Sequence, residues 1–201
     1  MLADESKENG ISINLGPGGN LHRNILCGRH PEYYSEDPIL TGTLMAYQAR
    51  GLEENGVIAT YKHLIANNME FERKSAHGII DENTLRDLYL RVFDKAFSLY
   101  KPGCVMTSYN PVNGIYPCEN SALLNDLLRG EWGFDGFVMT DWGSYDTADS
   151  IRSVCAGTNL LTPGSKKHFR MILKAVKRNE ISKAALQHSV KQIVKVLVRC
   201  I

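Results

Sequence analysis

The sequence has almost no net charge and no long apolar segment. Its 201 residues carry 23 Lys and Arg against 22 Asp and Glu, a formal net charge of +1. This balance argues against a protein that binds nucleic acid or an anionic membrane surface through bulk charge. No apolar run approaches the roughly 18–20 residues of a transmembrane helix. With 43% hydrophobic and 22% charged residues, the composition is that of a globular protein able to bury a core.

Several common catalytic and ligand-binding signatures are also missing. The five cysteines form no CxxC pair, which favours reduced thiols over a redox or zinc motif. The histidines have no HExxH or similar spacing, so we predict neither a metal nor a cofactor. There is no GxSxG elbow, and residues 16–19 lack the spacing of a nucleotide-binding loop. The first seven residues lack the layout of a secretory signal, which favours a cytoplasmic location if Met1 is the true start.

What the sequence does contain is a regular alternation of strand and helix patterns. Short apolar runs predict five strands, at residues 11–15, 57–61, 104–109, 136–140 and 158–161. Helical patterns predict helices at residues 2–9, 38–55, 82–100, 121–131, 147–156, 165–178 and 182–199. This order predicts an α/β fold with parallel strands joined by helices. Both a doubly wound sheet and part of an eight-stranded (β/α)8 barrel of the TIM type fit the pattern.

Polar pairs follow three of the predicted strands. They are Lys62-His63, Tyr109-Asn110 and Asp141-Trp142. In a barrel such strand ends converge on one pocket, whereas in an open sheet they spread along a crevice. An Asp beside a Trp suits carbohydrate chemistry, because the carboxylate can attack or stabilise an oxocarbenium-like carbon while the indole offers a flat apolar face. On spacing alone, Asp141 could equally cap the following helix.

Cationic side chains lie close to these strand ends in the sequence. Lys62, His63 and Arg73 would favour an ionised carboxylate and can hold sugar hydroxyls. A Lys at a barrel strand end can also form a Schiff base, which leaves an aldolase-like lyase open. A hydrogen-bonded strand end without catalytic function is the structural alternative for Lys62 and His63.

Motifs that run in one order along nearly the whole chain match a known family. They occupy residues 16–18, 20–24, 27–29, 32–38, 62–63, 67–68, 70, 73, 106–110, 128–136 and 140–143. With these motifs the chain resembles glycoside hydrolase family 3, the β-glucosidase family. The resemblance implies that residues 1–201 are the C-terminal part of that family's catalytic (β/α)8 barrel, with about five of its eight β/α units. The family's earlier strands, and the second α/β sandwich domain that many members have, are absent from these residues.

The resemblance also implies a reaction and a set of site residues. Asp141 would be the nucleophile of a retaining, exo-acting β-glycosidase that removes terminal β-D-glucosyl residues through a covalent glycosyl-Asp intermediate. The implied substrate-binding residues, polar or aromatic side chains around that nucleophile, are Arg29, Lys62, His63, Arg73, Tyr109 and Trp142. The expected substrate is a β-glucoside or oligosaccharide. Missing strands and an acid/base-bearing domain are expected from another segment or chain, since a retaining enzyme needs two carboxyl groups.

Two alternatives remain open within this resemblance. The chain could be a β-xylosidase of the same family, or a truncated, non-catalytic fragment that binds sugar. The family's N-acetylglucosaminidase branch is disfavoured, because its Lys-His pair is followed by a Phe-Pro-Gly-His run where this sequence has residues 64–68, Leu-Ile-Ala-Asn-Asn.

Overall fold

Three parallel strands form the central sheet of the protein. The computed structural model describes residues 1–200, with side chains up to Arg199. Strands β1 (Thr60–Leu64), β2 (Cys104–Thr107) and β3 (Phe137–Thr140) lie side by side in chain order. β2 and β3 pair in register along their whole length, whereas a bulge interrupts the pairing of β1 with β2. The parallel arrangement predicted from the strand–helix alternation is confirmed.

The count of five strands is not confirmed. Residues 11–15 and 158–161 run along the two outer edges of the sheet, but they join it only through isolated parallel bridges, such as Ile13 to Ile58 and Met139 to Leu160. Pro17 follows the first segment and has no N–H to donate. In the second segment two successive N–H groups donate to the same Val138 carbonyl, which breaks the regular ladder. Both segments therefore lie where strands were predicted without completing a ladder.

The helices follow the predicted order, with ends shifted by a few residues. They are α1 (Leu2–Glu8), α2 (Pro38–Glu53), α3 (residues 82–99), α4 (Ala122–Glu131), α5 (Ser150–Ala156), α6 (Lys166–Lys177) and α7 (Lys183–Leu197). All of α4 and the middle of α3, Leu85–Leu90, are wound more widely than an α-helix. Short polar side chains fix several helix starts, as Asp81 does by accepting from the Thr84 N–H at 3.0 Å. None of the helices in residues 1–200 is long and apolar enough to cross a membrane.

The main hydrophobic core lies between the sheet and helices α2, α3 and α4. Phe97 of α3 stacks on Trp132, with ring centroids 5.3 Å apart, and meets Tyr61 of β1 edge to face. α2 approaches α3 closely at Gly42, where a Cβ would overlap the backbone carbonyl of Val92. This close packing fixes the sheet against the helices, so the loops after the strands start from rigid positions.

At the amino-terminal end of the sheet, the carboxylate of Glu53 joins three parts of the chain. Its side chain is 2% exposed. It accepts from the Gly103 N–H at 2.6 Å, the Ala59 N–H at 3.2 Å and the Tyr100 hydroxyl at 3.2 Å, and it pairs with Arg199. The Glu53 carboxylate, at the end of α2, therefore connects that helix to the starts of two strands and to the last helical turn.

Replacing Glu53 with Ala is expected to lower the free energy of unfolding by about 3 kcal/mol, because two buried backbone N–H groups lose their acceptor. Urea denaturation of both proteins measures the difference. Glu54→Ala is the matched control, since its neighbouring carboxylate pairs with Arg50 in the solvent and should contribute little. Equal effects of the two substitutions would contradict the bracing role of Glu53.

Candidate active site

Asp141 lies directly after β3 at the carboxyl end of the sheet. It is 8% exposed. Its Oδ1 accepts from the Trp142 N–H at 2.6 Å, while the buried Oδ2 has no hydrogen-bond partner among the described residues. Asp141 does not cap the next helical turn, Ser144–Asp146, which has Gly143 at its N-cap. One oxygen is thus anchored and the other is open, as an attacking carboxylate requires.

Burial raises the pKa of Asp141 above its ordinary value. The Trp142 N–H, the Tyr109 hydroxyl and the charges of Arg29 and Lys62 act in the opposite direction and offset only part of that rise. The nearby cations therefore favour the ionised form that the desolvated site disfavours.

His63 lies between Asp141 and Arg29. Its side chain is 1% exposed, and its Nε2 lies 3.5 Å from Asp141 Oδ2 and 2.8 Å from Nη2 of Arg29. Burial lowers the pKa of His63 well below its ordinary value, and the charges of Arg29, Lys62 and Arg73 lower it further. The imidazole is consequently neutral at neutral pH.

Two carboxylates link the cations of the site, and the sequence analysis assigned a role to neither. Glu32 pairs with Arg29 through one oxygen and with Lys62 Nζ, at 3.2 Å, through the other. Glu70 Oε2 accepts from Arg73 at 2.8 Å, and its Oε1 lies 3.8 Å from Arg29 Nη1. The five side chains form a row of alternating charge. Two of the pairs, Arg29 with Glu32 and Glu70 with Arg73, join residues three apart in the sequence, and this spacing was the signal available.

Tyr109 and Trp142 contribute the aromatic part of the site. The Tyr109 hydroxyl donates to the Trp142 carbonyl at 2.6 Å, and the Arg73 guanidinium lies 4.6 Å from the Tyr109 ring centroid. Burial, together with the charge of Asp141, raises the pKa of Tyr109 to about 12, so the phenol keeps its proton. Trp142 is 53% exposed, which leaves its indole at the rim of the site.

The structure brings all seven predicted site residues into one connected cluster. They are Arg29, Lys62, His63, Arg73, Tyr109, Asp141 and Trp142. Lys62 is ion-paired, and a paired ammonium is a poor nucleophile, which disfavours the Schiff-base alternative. Within residues 1–199, no group of three or more His, Cys, Asp or Glu side chains is placed to hold a metal ion.

A groove of about 310 Å³ between α3 and α4 lies elsewhere on the protein. It is lined by leucines such as Leu85 and Leu123, and none of the seven predicted site residues lines it. The cluster around Asp141, with its buried charges and its free carboxylate oxygen, is therefore the better candidate for a site of chemistry.

The chain matches a known protein family over nearly its whole length. Residues 1–196 match the family described as "Glycosyl hydrolase family 3 N terminal domain". The chain belongs to glycosyl hydrolase family 3. This confirms the resemblance inferred from the motifs and the α/β class of the fold, which in family 3 is of the TIM-barrel type.

Relatives of this family 3 chain are named β-glucosidases. "Thermostable beta-glucosidase B" of Acetivibrio thermocellus is 41% identical over 197 residues, which are 98% of this chain and 26% of the relative. "Probable beta-glucosidase J" of Aspergillus fumigatus is 39% identical over 200 residues, 98% of this chain and 23% of the relative. The solved structure of β-glucosidase 3B from Thermotoga neapolitana with glucose superposes with a TM-score of 0.93 at 40% identity, covering 98% of this chain and 28% of that one. The chain spans about a quarter of the length of these curated relatives.

The ion pairs of Glu32 give the family 3 site a measurable pH dependence. Burial alone would raise the pKa of Glu32, but its hydrogen bond to Arg29 and the charges of Lys62 and Arg29 outweigh burial and lower it below the ordinary 4.5. A carboxyl whose pKa is lowered on folding stabilises the protein above its unfolded pKa and loses that contribution as the pH falls through its folded pKa.

Glu32→Gln is therefore expected to destabilise the protein at pH 7 and to have a shrinking effect as the pH falls below about 4.5. Chemical denaturation of both proteins across this pH range measures the difference. Glu36→Gln, four residues away and exposed, is the control and should have little effect at either pH. A Glu32→Gln effect that stays constant with pH would show that the pairs with Arg29 and Lys62 contribute no net stability.

Proposed function

We propose that this chain carries the nucleophile-bearing part of a retaining, exo-acting β-glucosidase. The observation that carries the proposal is the buried, unpartnered Oδ2 of Asp141 beside a neutral His63 and a row of fixed cations. The names of the relatives support the choice of a β-glucoside as substrate.

In the first step, Oδ2 of Asp141 attacks the anomeric carbon of the terminal sugar. The new carbon–oxygen bond forms as the bond to the leaving group breaks, and the departing oxygen takes a proton from an acid. Water then attacks the same carbon, the former acid accepts a proton from it, and the bond to Asp141 breaks. The two displacements release the sugar with its original configuration and restore the carboxylate.

The charged side chains around Asp141 are proposed to bind the hydroxyls of that sugar. Arg29, Lys62 and Arg73 have only donor groups, and their carboxylate partners hold them in place before substrate arrives. Pre-organised donors of this kind stabilise the transition state without reorganisation during the reaction. The half-exposed indole of Trp142 is proposed to form the apolar wall of the sugar pocket.

The acid/base residue is proposed to come from another segment or chain, together with the remaining barrel strands and a second α/β sandwich domain. A retaining enzyme needs its second carboxyl about 5–5.5 Å from the first. Glu32 and Glu70 are the carboxylates described in the charged row, and both pair with cations. Although burial acts in the opposite direction, the pairing of Glu32 with Arg29 and Lys62 lowers the pKa of its carboxyl, which favours the ionised form over the protonated form that a general acid must adopt.

Incubation with 2,4-dinitrophenyl 2-deoxy-2-fluoro-β-glucoside tests the nucleophile without requiring the acid, because dinitrophenolate departs unaided. We expect intact mass to rise by one fluoroglucosyl group and peptide mapping to locate it on Asp141. Asp141→Asn should form no adduct. Asp135→Asn, which removes a surface carboxylate paired with Lys195, should react like the unsubstituted chain.

The same experiment discriminates the alternatives. An adduct with the fluoroxyloside only would indicate a β-xylosidase. No adduct with either reagent, from protein shown to be folded, would contradict catalysis by this chain and leave a non-catalytic sugar-binding fragment.

Lys62→Met is expected to slow this labelling, because it removes one charge-assisted contact while keeping an unbranched side chain. Such a contact stabilises the transition state by roughly 1.5–3 kcal/mol, a loss of about 10- to 150-fold in rate. The second-order rate constant for adduct formation measures it. Lys191→Met, on the exposed surface of α7, is the control, and an unchanged rate for Lys62→Met would place Lys62 outside the sugar site.

A further inference from the structure

The amide of Asn20 is held in one orientation by the backbone of His63. Asn20 is 3% exposed. Its Nδ2 donates to the His63 carbonyl at 2.9 Å, and its Oδ1 accepts from the His63 N–H at 2.9 Å. A backbone N–H only donates and a carbonyl only accepts. The oxygen and the nitrogen of the Asn20 amide therefore cannot exchange places.

This fixed amide determines which ring nitrogen of His63 carries the proton. Asn20 Oδ1 lies 3.1 Å from His63 Nδ1, and since that oxygen only accepts, Nδ1 must donate. The Tyr33 hydroxyl, also 3.1 Å from Nδ1, can accept from the same proton. On the opposite side of the ring, the Arg29 guanidinium only donates, so Nε2 must present a lone pair. Both sides of the ring require the same tautomer.

We propose that Asn20 is a positioning residue that holds His63 as the neutral tautomer protonated at Nδ1, so that Nε2 offers no proton to Asp141. The 3.5 Å approach of Nε2 to Asp141 Oδ2 is then not a hydrogen bond, which accounts for the unpartnered oxygen. A hydrogen bond from His63 would reduce the electron density that this oxygen brings to the anomeric carbon. The same tautomer allows Nε2 to accept from a sugar hydroxyl and not to donate to one.

The surroundings of His63 keep the ring from taking up a second proton. The charged or titratable groups that face it are Arg29, Lys62, Arg73, Asp141 and Tyr33. The second proton would have to sit on Nε2, directly against the Arg29 guanidinium. The tautomer is therefore expected to persist throughout the pH range in which the protein is folded and Asp141 is ionised.

Nitrogen-15 NMR of the histidine side chains tests the tautomer directly. Long-range proton–nitrogen correlation of the labelled chain, with His63 assigned by the spectrum of His63→Gln, reports the protonation of each ring nitrogen. We expect a protonated Nδ1 and an unprotonated Nε2, unchanged between pH 8 and pH 5.5. A protonated Nε2 anywhere in this range overturns the proposal.

Asn20→Asp tests the consequence for the nucleophile, and this arm rests on the proposed function. A carboxylate beside Nδ1 favours the imidazolium, whose Nε2 proton can then bind Asp141 Oδ2. We expect the NMR signals of His63 in this variant to titrate. Below that new pKa, the rate of fluoroglucoside labelling should fall by about tenfold for each pH unit. A flat labelling profile despite an imidazolium would overturn the role assigned to Asn20.

Asn113→Asp is the matched control, because Asn113 brackets the backbone N–H and carbonyl of Ile80 in the same way, at 2.9 Å and 2.8 Å, outside the site. It should leave the labelling profile unchanged. The NMR measurement on the unsubstituted chain decides the tautomer even if Asn20→Asp fails to fold. If NMR shows the expected tautomer but the fluoroglucoside labels none of the proteins, the proposed glycosidase function is wrong and the tautomer assignment still stands.

Discussion

The structure depends most on one buried carboxylate whose charge must be balanced. Asp141 is nearly enclosed, and desolvation of an ionised carboxyl is costly unless cations or hydrogen bonds compensate. Arg29 and Lys62 supply the compensating charge, and their own burial is compensated by Glu32. At the carboxyl end of the sheet, each of these buried charges thus depends on the others for compensation. Their arrangement exists in the protein without a bound ligand.

The rest of the fold keeps these charges in place. β1 and β3 carry His63 and Asp141 at the same end of the sheet, and β2 between them leads to Tyr109. At the opposite end, Glu53 gathers backbone donors from two strand starts and braces them against α2. The bracing by Glu53 therefore lies at one end of the strands and the proposed site of chemistry at the other, the usual division in barrels of parallel strands.

Much of this was predictable from local sequence patterns, and the remainder depends on contacts between distant segments. Helices such as α2 and α7 begin after Asp37 and Ser182, which cap them within a few residues. The two outer segments, residues 11–15 and 158–161, were predicted as strands because their apolar patterns are those of strands. Such a pattern does not show whether the adjacent strand forms a continuous series of backbone hydrogen bonds with the segment. Asn20 meets His63 across 43 positions, and Glu32 meets Lys62 across 30, so neither of these two contacts has a signature in local spacing.

A crystal structure of the chain soaked with glucose is the measurement that tests the central claim most directly. The account predicts one glucose bound at Asp141, with its anomeric carbon facing Oδ2 and its hydroxyls bound by Arg29, Lys62 and Arg73. Glucose bound elsewhere, with the Asp141 cluster still empty at saturating concentration, would contradict the claim that these charges form a sugar site.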